Sequence, residues 1–244
     1  MAVQAARRSD GRRADELRPL TIETGVNMYA EGSALINAGN TRVLCLATVE
    51  EKIPPFRKGS GEGWVTAEYS MLPRATNTRN QRDGRHGRVD GRSQEIQRLI
   101  GRAFRAGIDL AALGERTVTV DCDVLQADAG TRCASITGGF VALHIALDNL
   151  QKKGLIGASP VRHFVTAVSV GVVAGEPLLD LNYSEDYRAE VDMNCVATET
   201  GDFIEIQGTG EKRPFSRQEG DALLNLAAKG TAELAVLQRR ALGT

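Results

Sequence analysis

The chain is poor in the residues from which metal centres, cross-links and membrane anchors are made. Its 244 residues include four cysteines and three histidines. Cys45, Cys122, Cys133 and Cys195 are scattered with no C-x-x-C pair, so neither a zinc site nor a disulfide framework is expected. The opening stretch MAVQAARRSDGRRADELRPL has no apolar segment of the kind a secretory signal carries. No run approaches the roughly 18 consecutive apolar residues of a membrane helix. These absences lead us to expect a cytoplasmic chain with no membrane partner. GxSxG and HExxH are missing, as is a full P-loop. Gly208-Thr209-Gly210-Glu211-Lys212 has glycines and a lysine at the wrong spacing, and Gly59-Ser60-Gly61-Glu62-Gly63 reads as a flexible linker. At 42% hydrophobic and 25% charged, the composition is that of an ordered globular protein, and its length fits one domain over 1–244.

Net charge is nearly absent too, with 30 Lys+Arg against 31 Asp+Glu. The sum argues against a polyanionic partner, but the distribution argues for one, because local potential attracts a ligand. Of the basic residues 24 are Arg, and nine lie between Arg74 and Arg105, opposed only by Asp83, Asp90 and Glu95. Between Glu176 and Glu205 nine carboxylates meet one base, Arg188. Residues 76–88 (TNTRNQRDGRHGR) contain no Val, Ile, Leu, Met or aromatic, so they have nothing to bury. An exposed Arg-rich loop over 76–90 is expected. The arginines at 74, 79, 82, 85 and 88 repel one another unless a polyanion such as a phosphodiester backbone relieves them. Arg98, Arg102 and Arg105, further on, suit a mostly solvated helix face.

Periodicity supplies the elements. Val43–Val49 (VLCLATV) and Trp64–Leu72 read as strands. In 91–108, Ile96, Leu99, Ile100, Ala103 and Phe104 recur at helical spacing, with Ser93 as the expected N-cap. Residues 116–125 alternate as a strand, and 131–153 form a long apolar helix closing at Lys152-Lys153-Gly154. Strands are expected over 163–173, 190–198 and 203–208. Ser216 and Glu219 make a capping box for a helix to about Arg240. The alternation is loose, with hairpins between helices, which predicts an α+β class with mixed sheets.

Two segments offer chemistry. Ala127–Ser135 (ADAGTRCAS) joins a strand to a helix, where unpaired N–H groups and the helix dipole favour an anion. Thr131 and Ser135 offer hydroxyls there and Arg132 a bidentate fork. A plain helix start, with Thr131 as cap and Arg132 in solvent, is the alternative. Asp180–Asn194 (DLNYSEDYRAEVDMN) is dense in carboxylates, which suit Mg²⁺ or Mn²⁺ and proton transfer, or else a solvated turn. Asp186 and Asp192 lie about 20 Å apart if extended, so they share a site only if the chain turns between them. Glu185, Glu190 and Asp192 are expected to press on Asp186 and raise its pKa.

Ordered along the chain, RSDGRRADELRP, GNTRVLCLATVE, GWVTAEYSMLPRAT, GRSQEIQRLIGRAFRA, DCDVLQADAGTRCASITG and YSEDYRAEVDMN resemble the ribonuclease PH family. These are phosphate-dependent exoribonucleases that trim tRNA 3′ ends. The resemblance implies a fold with βαβ-type repeats shared with exosome ring subunits and polynucleotide phosphorylase. It also implies a homohexamer built as a trimer of dimers, and inorganic phosphate as co-substrate. The phosphate site it implies comprises Arg92, Gly130, Thr131 and Arg132. Asp186 and Asp192 become the catalytic and metal-holding carboxylates, and Arg74, Arg79 and Arg82 the tRNA contacts. Two positions depart from the pattern. Cys133 stands where a hydroxyl residue is common, and Asn194 stands where polynucleotide phosphorylase has lysine. The competing class is a non-catalytic RNA-binding subunit of an exosome-like ring, which typically loses the phosphate arginine or the Asp pair. A small-molecule nucleotide enzyme would leave the Arg-rich loop without a purpose.

Overall fold

The computed structural model describes residues 8–83 and 89–244; Arg85 and Arg88 lie outside them. Two sheets flank one long helix. The first contains β1 (Leu20–Thr24), β2 (Gly32–Ala38), β3 (Thr41–Glu50), β4 (Trp64–Met71) and β5 (Thr117–Gln126), in the order β1-β2-β3-β5-β4. β1, β2 and β3 form an antiparallel meander, and β3 pairs antiparallel with β5. β4 and β5 run parallel, so the chain between them makes a βαβ crossover through α1 (Gly91–Gly107) and the single turn α2 (Leu110–Leu113). The second sheet contains β6 (Val165–Val173), β7 (Glu176–Leu179), β8 (Val191–Thr198) and β9 (Phe203–Gly210), antiparallel in the order β7-β6-β8-β9. The mixed α+β class read from the sequence is the one observed.

α3 (Thr131–Lys152) packs against β2, β3 and β5 of the first sheet and β6 of the second. By length and composition alone this helix is apolar enough to cross a membrane; 83% of its most apolar window is buried in the fold. Such a helix must be enclosed on several sides, and the close approach selects small residues beneath it. Gly32 of β2 lies against the backbone of Ala142, where a Cβ would collide with the carbonyl oxygen. α5 (Arg217–Leu242) covers the other face of β6, which explains why eight consecutive residues of that strand are buried.

α1 buries the expected stripe of Ile96, Leu99, Ile100, Ala103 and Phe104, each at most 1% exposed. Every large apolar side chain there contributes about 1.5–3 kcal/mol relative to exposure. Its N-cap is Asp90, whose carboxylate accepts the Arg92 backbone N–H at 3.1 Å. Ser93, the residue expected to cap, is buried inside the first turn and donates its hydroxyl to Asp83 Oδ2. The Ser216–Glu219 capping box forms as expected. Arg102 stays on the solvated face expected of it and pairs there with Glu205 at 2.7 Å, whereas Arg105 leaves that face and stacks over Trp64.

Candidate active site

A cleft of about 820 Å³ opens where the end of β4, the loop after it, the start of α3 and the β7–β8 connection meet. Its cationic wall starts from the turn before α3. Ala129 (φ 59°) and Gly130 (φ 63°) are consecutive left-handed residues, which bend the chain so that α3 begins facing the cleft. Ala129 holds a conformation that costs a non-glycine residue roughly 1–2 kcal/mol. Thr41 secures it, donating its hydroxyl to the Ala129 carbonyl at 2.7 Å and accepting the Asp128 N–H at 2.9 Å. At Gly130 a Cβ would stand 2.9 Å from Arg18 Nη2. No side chain caps α3, so its leading N–H groups and dipole remain available to an anion.

Arg92 and Arg132 line the same cleft. Arg132 is not adrift in solvent: Nη1 donates to Gln207 Oε1 at 2.9 Å and lies 3.5 Å from Glu95. Gln207 is oriented in turn by donating to Glu95 at 3.2 Å and Glu205 at 3.1 Å, and Arg102 holds Glu205. The hydroxyls expected to reach an anion face inward. Thr131 Oγ1 shares a 2.8 Å bond with the buried Tyr69 hydroxyl, and Ser135 donates to the Thr131 carbonyl at 2.8 Å. What Thr131 leaves for an anion is its backbone N–H.

The carboxylates come from α4 (Tyr183–Asp186) and β8. The chain does turn between them. Ala189 N–H bonds to the Asp186 carbonyl at 3.1 Å and Glu190 N–H to Val172 at 2.7 Å, which returns Asp192 to the cleft that Asp186 lines. Burial pushes the Asp192 carboxyl up to about 6, with like charge from Asp186 and Glu211 added against the pull of Arg132 and Arg92. Burial also raises Asp186, against Arg92 and Arg132 and with help from Glu211. Burial and charge, not hydrogen bonds, cause both shifts. Two of the neighbours expected to press on Asp186 are engaged elsewhere. Glu185 is turned away into a 2.6 Å pair with Arg8, and Glu190 pairs with Arg213 at 2.7 Å. Two adjacent carboxylates without donors of their own fit a hard cation, although among the described residues no three or more acidic, His or Cys groups are placed to hold a metal ion together.

Arg74, Arg79 and Arg82 are exposed beside the cleft and do not line it; the loop contributes Thr76, Asn77, Thr78 and Asn80 instead. Arg74 bonds to the Asn77 carbonyl, which bends the loop locally. The two departures from the family pattern are neighbours, with Cys133 Sγ donating to Asn194 Oδ1 at 3.3 Å. Burial pushes the Cys133 thiol up, so it acts there as a neutral donor.

Sequence reasoning misses the frame behind the site. The buried Arg18 forks onto Asp180, 2.7 and 3.0 Å away, and donates to the Asp128 carbonyl at 2.6 Å. Asp128 also accepts the Tyr183 N–H at 3.0 Å, which ties α4 to the turn before α3. Burial opposes the Arg18 charge, but the bonds and field of Asp180 more than offset it, and its pKa rises. Glu211 and Lys212, at the end of the false P-loop fragment, also line the cleft. RSDGRRADELRP is visible as a motif, but the partners that bury Arg8, Arg12 and Arg18 lie more than 160 residues away, at Asp180 and Glu185.

The sequence pattern of the 3′ exoribonuclease family, domain 1, matches residues 16–147, and that of domain 2 matches residues 163–230. The chain belongs to the 3′ exoribonuclease family. A protein named ribonuclease PH from Syntrophomonas wolfei subsp. wolfei is 56% identical over 236 residues, 97% of this chain and 99% of that one. Solved structures share the fold. Rice (Oryza sativa) Rrp46 superposes with a TM-score of 0.78 at 19% identity, covering 96% of this chain and 100% of its own. The Archaeoglobus fulgidus exosome with RNA bound to the active site gives 0.80 at 24%, covering 94% and 91%. In family terms, the first pattern spans the turn before α3 with Arg92 and Arg132, and the second spans both carboxylates. The cleft lies where the two meet.

Proposed function

We infer that this chain is a phosphorolytic 3′-to-5′ exoribonuclease that trims tRNA precursors and other RNA 3′ ends. It releases nucleoside 5′-diphosphates and, in reverse, acts as a nucleotidyltransferase. One observation carries the reading: an anion cradle with two arginines and a carboxylate pair share one cleft. Inorganic phosphate and an RNA phosphodiester are both anions, so a site that joins them must first offset their repulsion. Arg92, Arg132 and the N–H groups from Gly130 to Arg132 hold the attacking phosphate and meet the charge that develops at phosphorus. As the phosphate oxygen bonds to phosphorus, the ribose 3′-oxygen departs and takes a proton. Asp186, open to solvent for reprotonation, is placed to supply it. Asp192 is more enclosed and resists ionisation alone, so it gains most from a cation. Asp186 and Asp192 would hold Mg²⁺ or Mn²⁺, whose charge when bound offsets that of the phosphate oxygens.

One phosphate bond replaces another of similar energy, hence the reversibility. Purified protein given 3′-extended tRNA is expected to release nucleoside diphosphates only when phosphate is supplied. Monophosphates appearing without phosphate would identify a hydrolase instead. A non-catalytic ring subunit would release neither product.

Within the loop over 76–90 and at its start, we assign Arg74, Arg79 and Arg82 to the RNA body, since they stand exposed just outside the cleft. Replacing Arg79 or Arg82 with Ala should weaken tRNA binding and flatten its log–log salt dependence by about 0.7–0.9 unit for each phosphate no longer neutralised. A salt slope equal to wild type places that arginine off the RNA path. The likeness to ring subunits, together with the ribonuclease PH relative, supports a homohexameric trimer of dimers, which a solution mass measurement checks. Four free, buried cysteines accord with a cytoplasmic setting.

A further inference from the structure

We propose that Tyr183 and Tyr187 form a stacking platform for the bases that flank the scissile bond; the inference rests on the exoribonuclease reading above. Tyr183 opens α4 and Tyr187 caps its end, so the two are four residues apart and stand on one face. Their ring centroids are 6.4 Å apart with 30° between the planes. Tyr183 is 57% exposed and Tyr187 77%, and both line the cleft. Asp186 sits between them on the same turn.

Three features turn this geometry into a ligand assignment. First, α4 is held firmly, through the Asn182–Glu185 capping box and the Tyr183 N–H bond to Asp128, so the rings are presented on a fixed mount. Second, the rest of the cleft is served by cations, carboxylates, amides and hydroxyls, which suit phosphate, ribose and metal. A nucleobase brings a flat π-face, and the exposed tyrosines are the aromatic rings in that wall. Third, Asp186 is assigned to the ribose 3′-oxygen, so the rings at either end of its turn lie where the neighbouring bases must pass. Stacking on aromatic rings tolerates every base, because each has a π-face. The platform therefore holds an end of any sequence in register for cleavage.

The test uses full-length protein with RNA carrying 2-aminopurine at the last or the penultimate position. Binding to wild type without phosphate should change the fluorescence, and Tyr183→Ala or Tyr187→Ala should abolish much of that change. Each Ala variant should raise the KM for RNA on the order of tenfold while leaving the KM for phosphate near wild type. Tyr183→Phe and Tyr187→Phe keep the ring and should retain both properties. Unchanged fluorescence and RNA KM in the Ala variants would overturn the platform, as would Phe variants that lose as much as Ala. Because the fluorescence arm needs no turnover, it still decides the platform if phosphate-dependent release fails in wild type. That failure would count against the exoribonuclease reading alone.

Discussion

Exchanging Asp186 for asparagine is expected to slow nucleoside diphosphate release by about two to four orders of magnitude, with little change in RNA affinity. Asparagine keeps the shape of the side chain but has no acidic proton to give the departing 3′-oxygen. Asp186 lines the cleft with part of its surface open to solvent and makes no structural bond through its side chain that an amide would break, so the fold should survive. Asp192→Asn should also reduce turnover, but by a different route. If Asp192 serves mainly to hold a divalent ion, raising Mg²⁺ should restore part of the lost rate. The Asp186 variant should gain much less from added metal, because an ion can make up for a lost ligand but not for the lost acid. Single-turnover rates across a Mg²⁺ series separate the two. Equal rescue of both variants would make Asp186 a metal ligand only, and near-wild-type turnover in Asp186→Asn would remove it from catalysis.

The second large effect is structural. Arg18→Met is expected to lower folding stability by about 3–5 kcal/mol, because it leaves the buried Asp180 carboxylate without its fork. Arg18 and Asp180 are 5% and 7% exposed, so water cannot take over those bonds. The midpoint of a urea titration measures the loss. Combining Arg18→Met with Asp180→Asn should recover part of it, since a neutral amide tolerates burial better than a carboxylate left with only Arg12, 3.8 Å away, as its cation. Asparagine also accepts the left-handed backbone at that position, where φ is 53°. A cost under about 1 kcal/mol for the single variant would place the pair among weak surface ion pairs. Activity should fall beyond the stability loss, because the Asp128 carbonyl before the anion cradle loses its donor.

Elements with strong periodicity or caps are legible in the amino-acid pattern: α1 from its stripe, α5 from Ser216 and Glu219, and β5 from its alternation. β1 and β2 are not. β2 presents Ala34, Ile36 and Ala38 to the core, and Gly32 lies beneath α3, so close packing removes the large apolar residues that would mark the strand. α4 is a single turn, too short for any period. In the site, local chemistry and the family motifs point to Arg92, Arg132, Asp186 and Asp192, and all four line one cleft. Partners are the weak point. Local spacing assigns Glu185 to the neighbourhood of Asp186, yet it faces Arg8, 177 residues away. Gln207 reads as ordinary strand sequence, yet it orients Arg132. Such pairings depend on sheet register, which local spacing does not encode.

The Arg18 fork bears on how this enzyme comes into being on the ribosome. Its partner Asp180 lies 162 residues later, so the segment that braces the site is made first and satisfied late. Such a long-range contact forms only after a large loop closes, a step that slows assembly more than it weakens the finished fold. A nascent chain that has completed α3 contains the residues of its anion cradle but has neither the bracing carboxylate, nor the Gln207 that orients Arg132, nor the pair at 186 and 192. An enzyme that cuts RNA ends therefore stays incomplete through most of its own synthesis, and becomes competent only when its second sheet closes over the first residues made.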